Sequence, residues 1–452
     1  MSDPSSKRRT IVSVYPAYQQ YVHDSLSRAL GHVPDLFALE TSHVAANTAR
    51  ATADVQWSDY DEIDWDALTG DKLVNSYVIR KGLIRKNHLA HTIALYLSKN
   101  PDSLLKRAVP QTFFFNLTFP DELDELLMDD LYEVAQSLHS NDAIDAANEK
   151  EWWILKAALA DKGNGIRLFS STEALEAIFE EFEPQTSDEE DEEEEGEATQ
   201  TAFGSGTRVD SSQLREWVVQ RYISSPLLMD PSPADEIARK FHLRVYIVAA
   251  GSLRVYVHRP FLALFAPIEY EPPRETDDGR VNLASHLTNT CLQTSSEEYS
   301  RADLAVSTLS ALVGKTILSG SRRGQKLEQA DVQRIEDQVS DIVAEVFKAA
   351  VGAATSFQTL PNAFEIFGCD FLVDSEMAVS LLEVNACPDF GQTGSELQAV
   401  IDELFKETVD KVIVPFFEKD KVDSVTQKTT DMSISPGTGL KQVLDMQVRK
   451  AW

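Results

Sequence analysis

The sequence is poor in cysteine, in long apolar runs and in positive charge. Its 452 residues include three cysteines, Cys291, Cys369 and Cys387. An odd trio at that spacing makes neither a disulfide framework nor a zinc-ligand pattern, so buried, reduced thiols are expected. No stretch approaches the roughly 20 apolar residues that a helix needs to cross a bilayer, so no membrane partner is expected. The opening MSDPSSKRRT carries charge with no apolar segment behind it. That argues against a secretory signal and for a cytoplasmic or nuclear location. Lysine and arginine number 42 against 73 acids, a net charge of −31. Nucleic-acid backbones are neutralised by Lys and Arg, so nucleic acid is not an expected partner.

What remains is ordinary for a globular protein. A hydrophobic content of 43% supports a core, and the length allows two or three packed units. The β-branched run Thr10–Val14 followed by the amphipathic stretch Tyr21–Leu30 reads as a strand and a helix. Residues 1–75 are assigned to a small N-terminal α/β lobe, 76–417 to the main domain and 418–452 to a loosely held polar tail. The fold class is α/β (α+β). Nine of the ten residues Asp188–Glu197 are acidic, and the stretch 183–212 reads as a disordered insertion. A run of that composition could compete in cis for a cationic groove. Strands are expected at Trp152–Leu155, Glu216–Tyr222, Phe241–Ala249 and Leu253–Val257, the last two joined through Gly251 and Ser252. Helices are expected at Ser171–Phe182, with Thr172 as a candidate cap, at Val332–Val351 and at Ser395–Phe416.

Three clusters carry chemistry. Lys156 stands on a strand ahead of Gly163-Asn164-Gly165, a workable phosphate cradle that is not a Walker A sequence. Lys240, His242 and Arg244 share one face of a strand at period 2 and form a cationic stripe suited to phosphate or carboxylate. Asp370 and Glu383 lie on two strands joined by the turn Asp374-Ser375-Glu376, with Asn385 two residues on. Two carboxylates that close in apolar surroundings call for a neutralising cation, and Mg2+ accepts carboxylate and amide oxygens. The basic residues Arg80, Lys81, Arg85 and Lys86 open an amphipathic helical stretch, against the helix-dipole preference. An anion bound there would explain the placement.

These clusters, in this order, resemble the tubulin–tyrosine ligase family. The strings LKRAVPQTF (105–113), WILKAALADKGNGIRLF (153–169), VVQRYISSPLL (218–228), RKFHLRVYIV (239–248), HLTN (286–289), FGCDFLVD (367–374) and LLEVNACP (381–388) carry the likeness. The resemblance implies an ATP-grasp-type fold over residues ~73–416, with two α/β lobes closing on ATP. Position by position it implies that Lys86 and Lys156 contact ATP phosphates and that Gln220 and Tyr222 hold the adenine. Lys240 would reach the nucleotide and Arg244 the reacting phosphate, with Thr288 and Asn289 also in the nucleotide site. Asp370, Glu383 and Asn385 would hold Mg2+. Two positions depart from the family pattern: His242 replaces an acid, and Leu264 replaces an arginine. The resemblance implies an ATP-dependent ligase joining a free amino acid to a protein carboxylate. The default acceptor is tubulin or another acidic-tailed protein. Side-chain glutamylation or glycylation, and a nucleotide-binding module with little ligase activity, are the alternatives.

Overall fold

The computed structural model describes residues 8–43, 47–146, 149–160, 165–182, 215–232, 237–275, 281–288, 306–390, 397–418 and 439–446. The acidic insertion, Asn289, Cys291 and the Gly163-Asn164 part of the glycine loop lie outside them. Sixteen strands fall into three sheets among the described residues.

The N-terminal lobe holds β1 (Arg9–Val14), β2 (Phe37–Ser42), β3 (Val55–Gln56) and β4 (Leu73–Val74) in the order β2-β1-β3-β4, all parallel. The helix Gln20–Leu30 covers it with Val22, Leu26 and Leu30. A second sheet joins β5 (Thr112–Asn116), β6 (Trp153–Ala157), β7 (Arg167–Phe169) and β8 (Glu216–Arg221) in the antiparallel order β5-β8-β6-β7. The helix Thr172–Phe182 packs Leu175 and Phe179 beneath it. That helix is capped by Ser171, whose Oγ accepts from the Ala174 N–H at 3.1 Å. Thr172, the expected cap, is the first helical residue.

The central sheet comprises β9 (Leu228–Met229), β10 (Arg239–Ala250), β11 (Arg254–Arg259), β12 (Leu262–Phe265), β13 (Val306–Thr308), β14 (Phe364–Val373), β15 (Val379–Ala386) and β16 (Gly439–Asp445). Period-2 alternation divides β10. Leu243, Val245, Ile247 and Ala249 face a core completed by Val332, Ile335, Val339, Val343 and Phe347 of the helix Gln329–Gly352. On the other face, Tyr246, Val248 and Ala250 pack against Ile11, Trp57, Ile401 and Phe405. The remaining residues of that face, Lys240, His242 and Arg244, lie where this second core stops.

Three expectations are corrected. Residues 439–445 are not loosely held: β16 pairs with β11 along the sheet edge and buries Leu440 and Leu444. Glu407 accepts from the Leu440 N–H, and Lys411 donates to the Leu440 carbonyl. The polar composition of the tail hid two apolar positions that the sheet edge recruits. The basic helical stretch is two helices, Lys81–Ile84 and Lys86–Lys99, because Arg85 between them is extended at φ −98° and ψ 125°. Cys369 is buried as expected, but Cys387 is exposed at the end of β15. No helix among the described residues is long and apolar enough to cross a membrane.

Candidate active site

The β14–β15 hairpin sets two carboxylates face to face. Asp370 pairs with Glu383, and Gly368 with Asn385, whereas Phe371 pairs with Leu381. Leu382 is therefore an extra residue. Without that bulge the register would set Leu382 opposite Asp370 and turn Glu383 onto the core face. The bulge lets Leu381 stay in the core while Glu383 joins Asp370. The Asn385 amide donates to Asp370 Oδ2 at 3.2 Å and to Glu383 Oε1 at 3.1 Å. Arg244, one strand over, donates through Nε to Asp370 Oδ1 at 2.5 Å and through Nη2 to Oδ2 at 3.1 Å. Its side chain passes Gly368, where an added Cβ would stand 3.2 Å from the Arg244 Cδ and 2.8 Å from the Pro388 Cβ.

Cations arrive from other elements. Lys86, at the start of its helix, donates to the Ala160 carbonyl at 2.7 Å. Lys156 on β6 donates to Gln220 Oε1 at 2.8 Å, and Gln220 donates to Thr112 Oγ1 at 3.0 Å. Lys240 donates to the Tyr222 hydroxyl and to the His286 carbonyl, both at 3.0 Å. The Tyr222 hydroxyl lies 2.9 Å from His286 Nδ1. No local pattern singles out His286, although it sits in the HLTN string.

Burial sets the protonation of this group, with neighbours adjusting it. Burial pushes Lys156 down to about 8 and Lys240 down to about 7. Burial, reinforced by Arg244, pushes His242 down to about 3, so it is a neutral imidazole and the stripe is cationic only at its ends. Burial, with Glu383 beside it, raises Asp370 against the pull of Arg244. Glu383 goes the other way: burial opposes ionisation, but Lys86 and Lys156 overcome it and hold the carboxylate charged.

Lys86, Lys156, Gln220, Tyr222, Lys240, His242, Thr288, Asp370, Glu383 and Asn385 all line one cavity of about 120 Å³. Arg244 reaches it through Asp370. Arg80 does not belong to this group. It pairs with buried Glu365 at 3.2 Å and lies 4.0 Å over the Tyr60 ring, a structural role. The donor set of two carboxylates and an amide suits a hard divalent cation. The Asn385 amide hydrogens now bridge the two carboxylates, and a turn of that amide would present its oxygen instead.

A sheet carrying paired acids, faced by a second antiparallel sheet that supplies a buried lysine, defines an ATP-grasp fold. The solved C-terminal domain of K. lactis Pby1, described as an ATP-grasp enzyme interacting with the mRNA decapping enzyme Dcp2, matches 97% of this chain and 100% of that one. The TM-score is 0.63 and the identity 30%. The tubulin-tyrosine ligase family pattern matches residues 69–421, and the chain belongs to that family. It is 41% identical over 386 residues to a probable tubulin–tyrosine ligase of Schizosaccharomyces pombe, covering 84% of this chain and 87% of that protein. It is 37% identical over 347 residues to the probable tubulin–tyrosine ligase PBY1 of Saccharomyces cerevisiae. That match covers 75% of this chain but only 43% of the yeast protein.

Proposed function

We propose that this chain is a Mg-ATP-dependent ligase that joins the amine of a free amino acid to a protein carboxylate. The observation that supports it is the convergence of Asp370, Glu383 and Asn385 with Lys86 and Lys156, drawn from four separate elements, on one cavity. Asp370, Glu383 and Asn385 would hold Mg2+, which when bound neutralises phosphate charge. Lys156 and Lys86 take the phosphates, and Gln220, Tyr222 and Lys240 hold the rest of the nucleotide. A carboxylate oxygen of the acceptor bonds to the γ-phosphorus as the β–γ bridging oxygen leaves with ADP. The amine nitrogen then attacks the acyl carbon, phosphate leaves and the ammonium proton passes to water. Arg244, fixed by Asp370, stabilises the negative oxygens that develop.

A second reading is nucleotide-dependent partner binding with little ligation. It is favoured by the register of β10 and β12, in which His242 lies directly opposite Leu264. The two departures from the family pattern are thus one neutral, buried cross-strand pair. A decapping-type partner, as named for the K. lactis domain, belongs to this reading. Incubation with ATP, labelled amino acids and tubulin, followed by mass spectrometry, separates the two readings and distinguishes tyrosination from glutamylation or glycylation. ATP-dependent mass addition to tubulin is the expected result, and its absence with every amino acid rejects the ligase reading for tubulin.

The nucleotide half has its own test. Phosphates arriving beside Lys156 draw a proton onto it, because burial holds it at about 8. Calorimetry near pH 8, in buffers of different ionisation heat, is expected to read uptake of up to about half a proton at Lys156 on Mg-ATP binding. Lys156→Ala lowers that uptake and weakens binding by about 1–3 kcal/mol. An unchanged dissociation constant removes Lys156 from the phosphate site.

A further inference from the structure

Three neighbouring strands of the second sheet, β5, β8 and β6, carry a hydrogen-bonded row that ends on Lys156. Thr112 on β5 stands directly opposite Gln220 on β8. Ile154 of β6 is opposite Gln220 from the other side, so Lys156, two residues along, shares their face. The direction of each hydrogen in the row is fixed at its far end. The Thr112 hydroxyl lies 2.7 Å from the Pro110 carbonyl, which can only accept, so the hydroxyl donates there. Its oxygen is left to accept, and the Gln220 amide nitrogen donates to it at 3.0 Å. An amide has two ways round, and its partners decide between them. Here Thr112 turns the Gln220 carbonyl oxygen toward Lys156, 2.8 Å from Nζ. The opposite orientation would set amide hydrogens against an ammonium.

We propose that Thr112 is a positioning residue for nucleotide binding: through Gln220 it aims the Lys156 ammonium at the phosphates. This rests on the nucleotide half of the ligase reading above. Lys156 and Gln220 line the cavity of about 120 Å³, whereas Thr112 borders a neighbouring one of about 260 Å³. Its influence on the phosphate site therefore passes along the row. Gln220 is buried, and its carbonyl is the one hydrogen-bond acceptor that Lys156 has among the described residues. Burial already disfavours the charge on Lys156. Once the Thr112 hydroxyl is gone, the amide is free to turn over. Lys156 then loses its acceptor, and the hydrogens left for the phosphates lose their fixed direction.

The two groups on the threonine β-carbon separate orientation from packing. Thr112→Val keeps the methyl shape and removes the hydroxyl, and Thr112→Ser does the reverse. Thr112 is half-buried on an edge strand, so both variants are expected to fold, and a thermal scan checks this. The full chain is titrated with Mg2+ and a non-hydrolysable ATP analogue. Thr112→Val should bind about tenfold more weakly, and Thr112→Ser within about twofold of wild type. Thr112→Ala, which lacks both groups, should match the valine variant. In a Lys156→Ala background, Thr112→Val should cost less than about a further twofold, because residues acting through one contact are not additive. Wild-type affinity in Thr112→Val, or a serine variant as weak as the valine one, overturns the proposal and spares Lys156 as a phosphate contact. A full loss on top of Lys156→Ala also overturns it, because Thr112 then acts by a route other than Lys156. If Lys156→Ala binds like wild type, or the wild-type chain does not bind the analogue, the nucleotide reading falls and this proposal with it.

Discussion

Glu383→Gln abolishes ATP-dependent turnover, by about a hundredfold or more, while the fold survives. The glutamine keeps the shape and the hydrogen bond to Asn385 but removes the one carboxylate that Lys86 and Lys156 hold ionised in spite of burial. Asp370 alone cannot make up the loss, since Arg244 already shares both its oxygens and offsets its charge. The effect on stability is small because two contributions oppose one another. Loss of the charge relieves repulsion with Asp370 and also removes an anion from half-buried Lys86 and buried Lys156. The melting temperature should move by no more than about 3 °C. The measurement is steady-state ADP release alongside a thermal scan, and full turnover in the glutamine variant would sink the assignment.

The largest expected effect on stability lies outside the cavity. Arg80→Leu should destabilise the chain by about 3–5 kcal/mol near neutral pH, the range for stranding one member of a buried ion pair. Glu365 is the stranded partner, with its side chain 3% exposed and only neutral further donors among the described residues, the Tyr77 N–H at 3.1 Å and the Ser76 side chain. Burial raises Glu365 to about 7 from an ordinary 4.5, against the pull of Arg80. A carboxyl raised on folding makes the folded state bind the extra proton. Its contribution to stability is therefore greatest below about 4.5 and declines as pH rises toward about 7. Without Arg80 the group moves higher still, so the deficit of the variant should narrow when urea unfolding is repeated near pH 5. The double variant Arg80→Leu/Glu365→Leu should recover most of the loss. A deficit independent of pH would place the damage in the lost stacking on Tyr60 instead.

The contrast between these two sites marks what local pattern can reveal. Arg80 and Lys86 stand in one basic run and look alike in sequence, yet one is buried against Glu365 and the other lines the cavity. Their partners are remote in the chain, and no spacing rule near residue 80 encodes Glu365. Period-2 alternation, by contrast, is local, so the shared face of Lys240, His242 and Arg244 and the hairpin that carries Asp370 and Glu383 were legible before any coordinates.

By itself the sequence determined the family, through its matching strings, and the hairpin that carries the two acids, through alternation and a turn. It also determined the acidic balance of the chain, a net charge of −31. Tertiary structure alone decided three things. The bulge at Leu382 brought Glu383 to the side of Asp370, because only a one-residue slip lets Leu381 remain in the core at the same time. Burial made His242 neutral, because a cation there would be stripped of water beside Arg244. Packing of the helix Lys86–Lys99 against β15 and the second sheet brought Lys86 and Lys156 to Glu383. Each of these depends on which surfaces lose water together, a property of chain segments far apart in sequence and close only after folding.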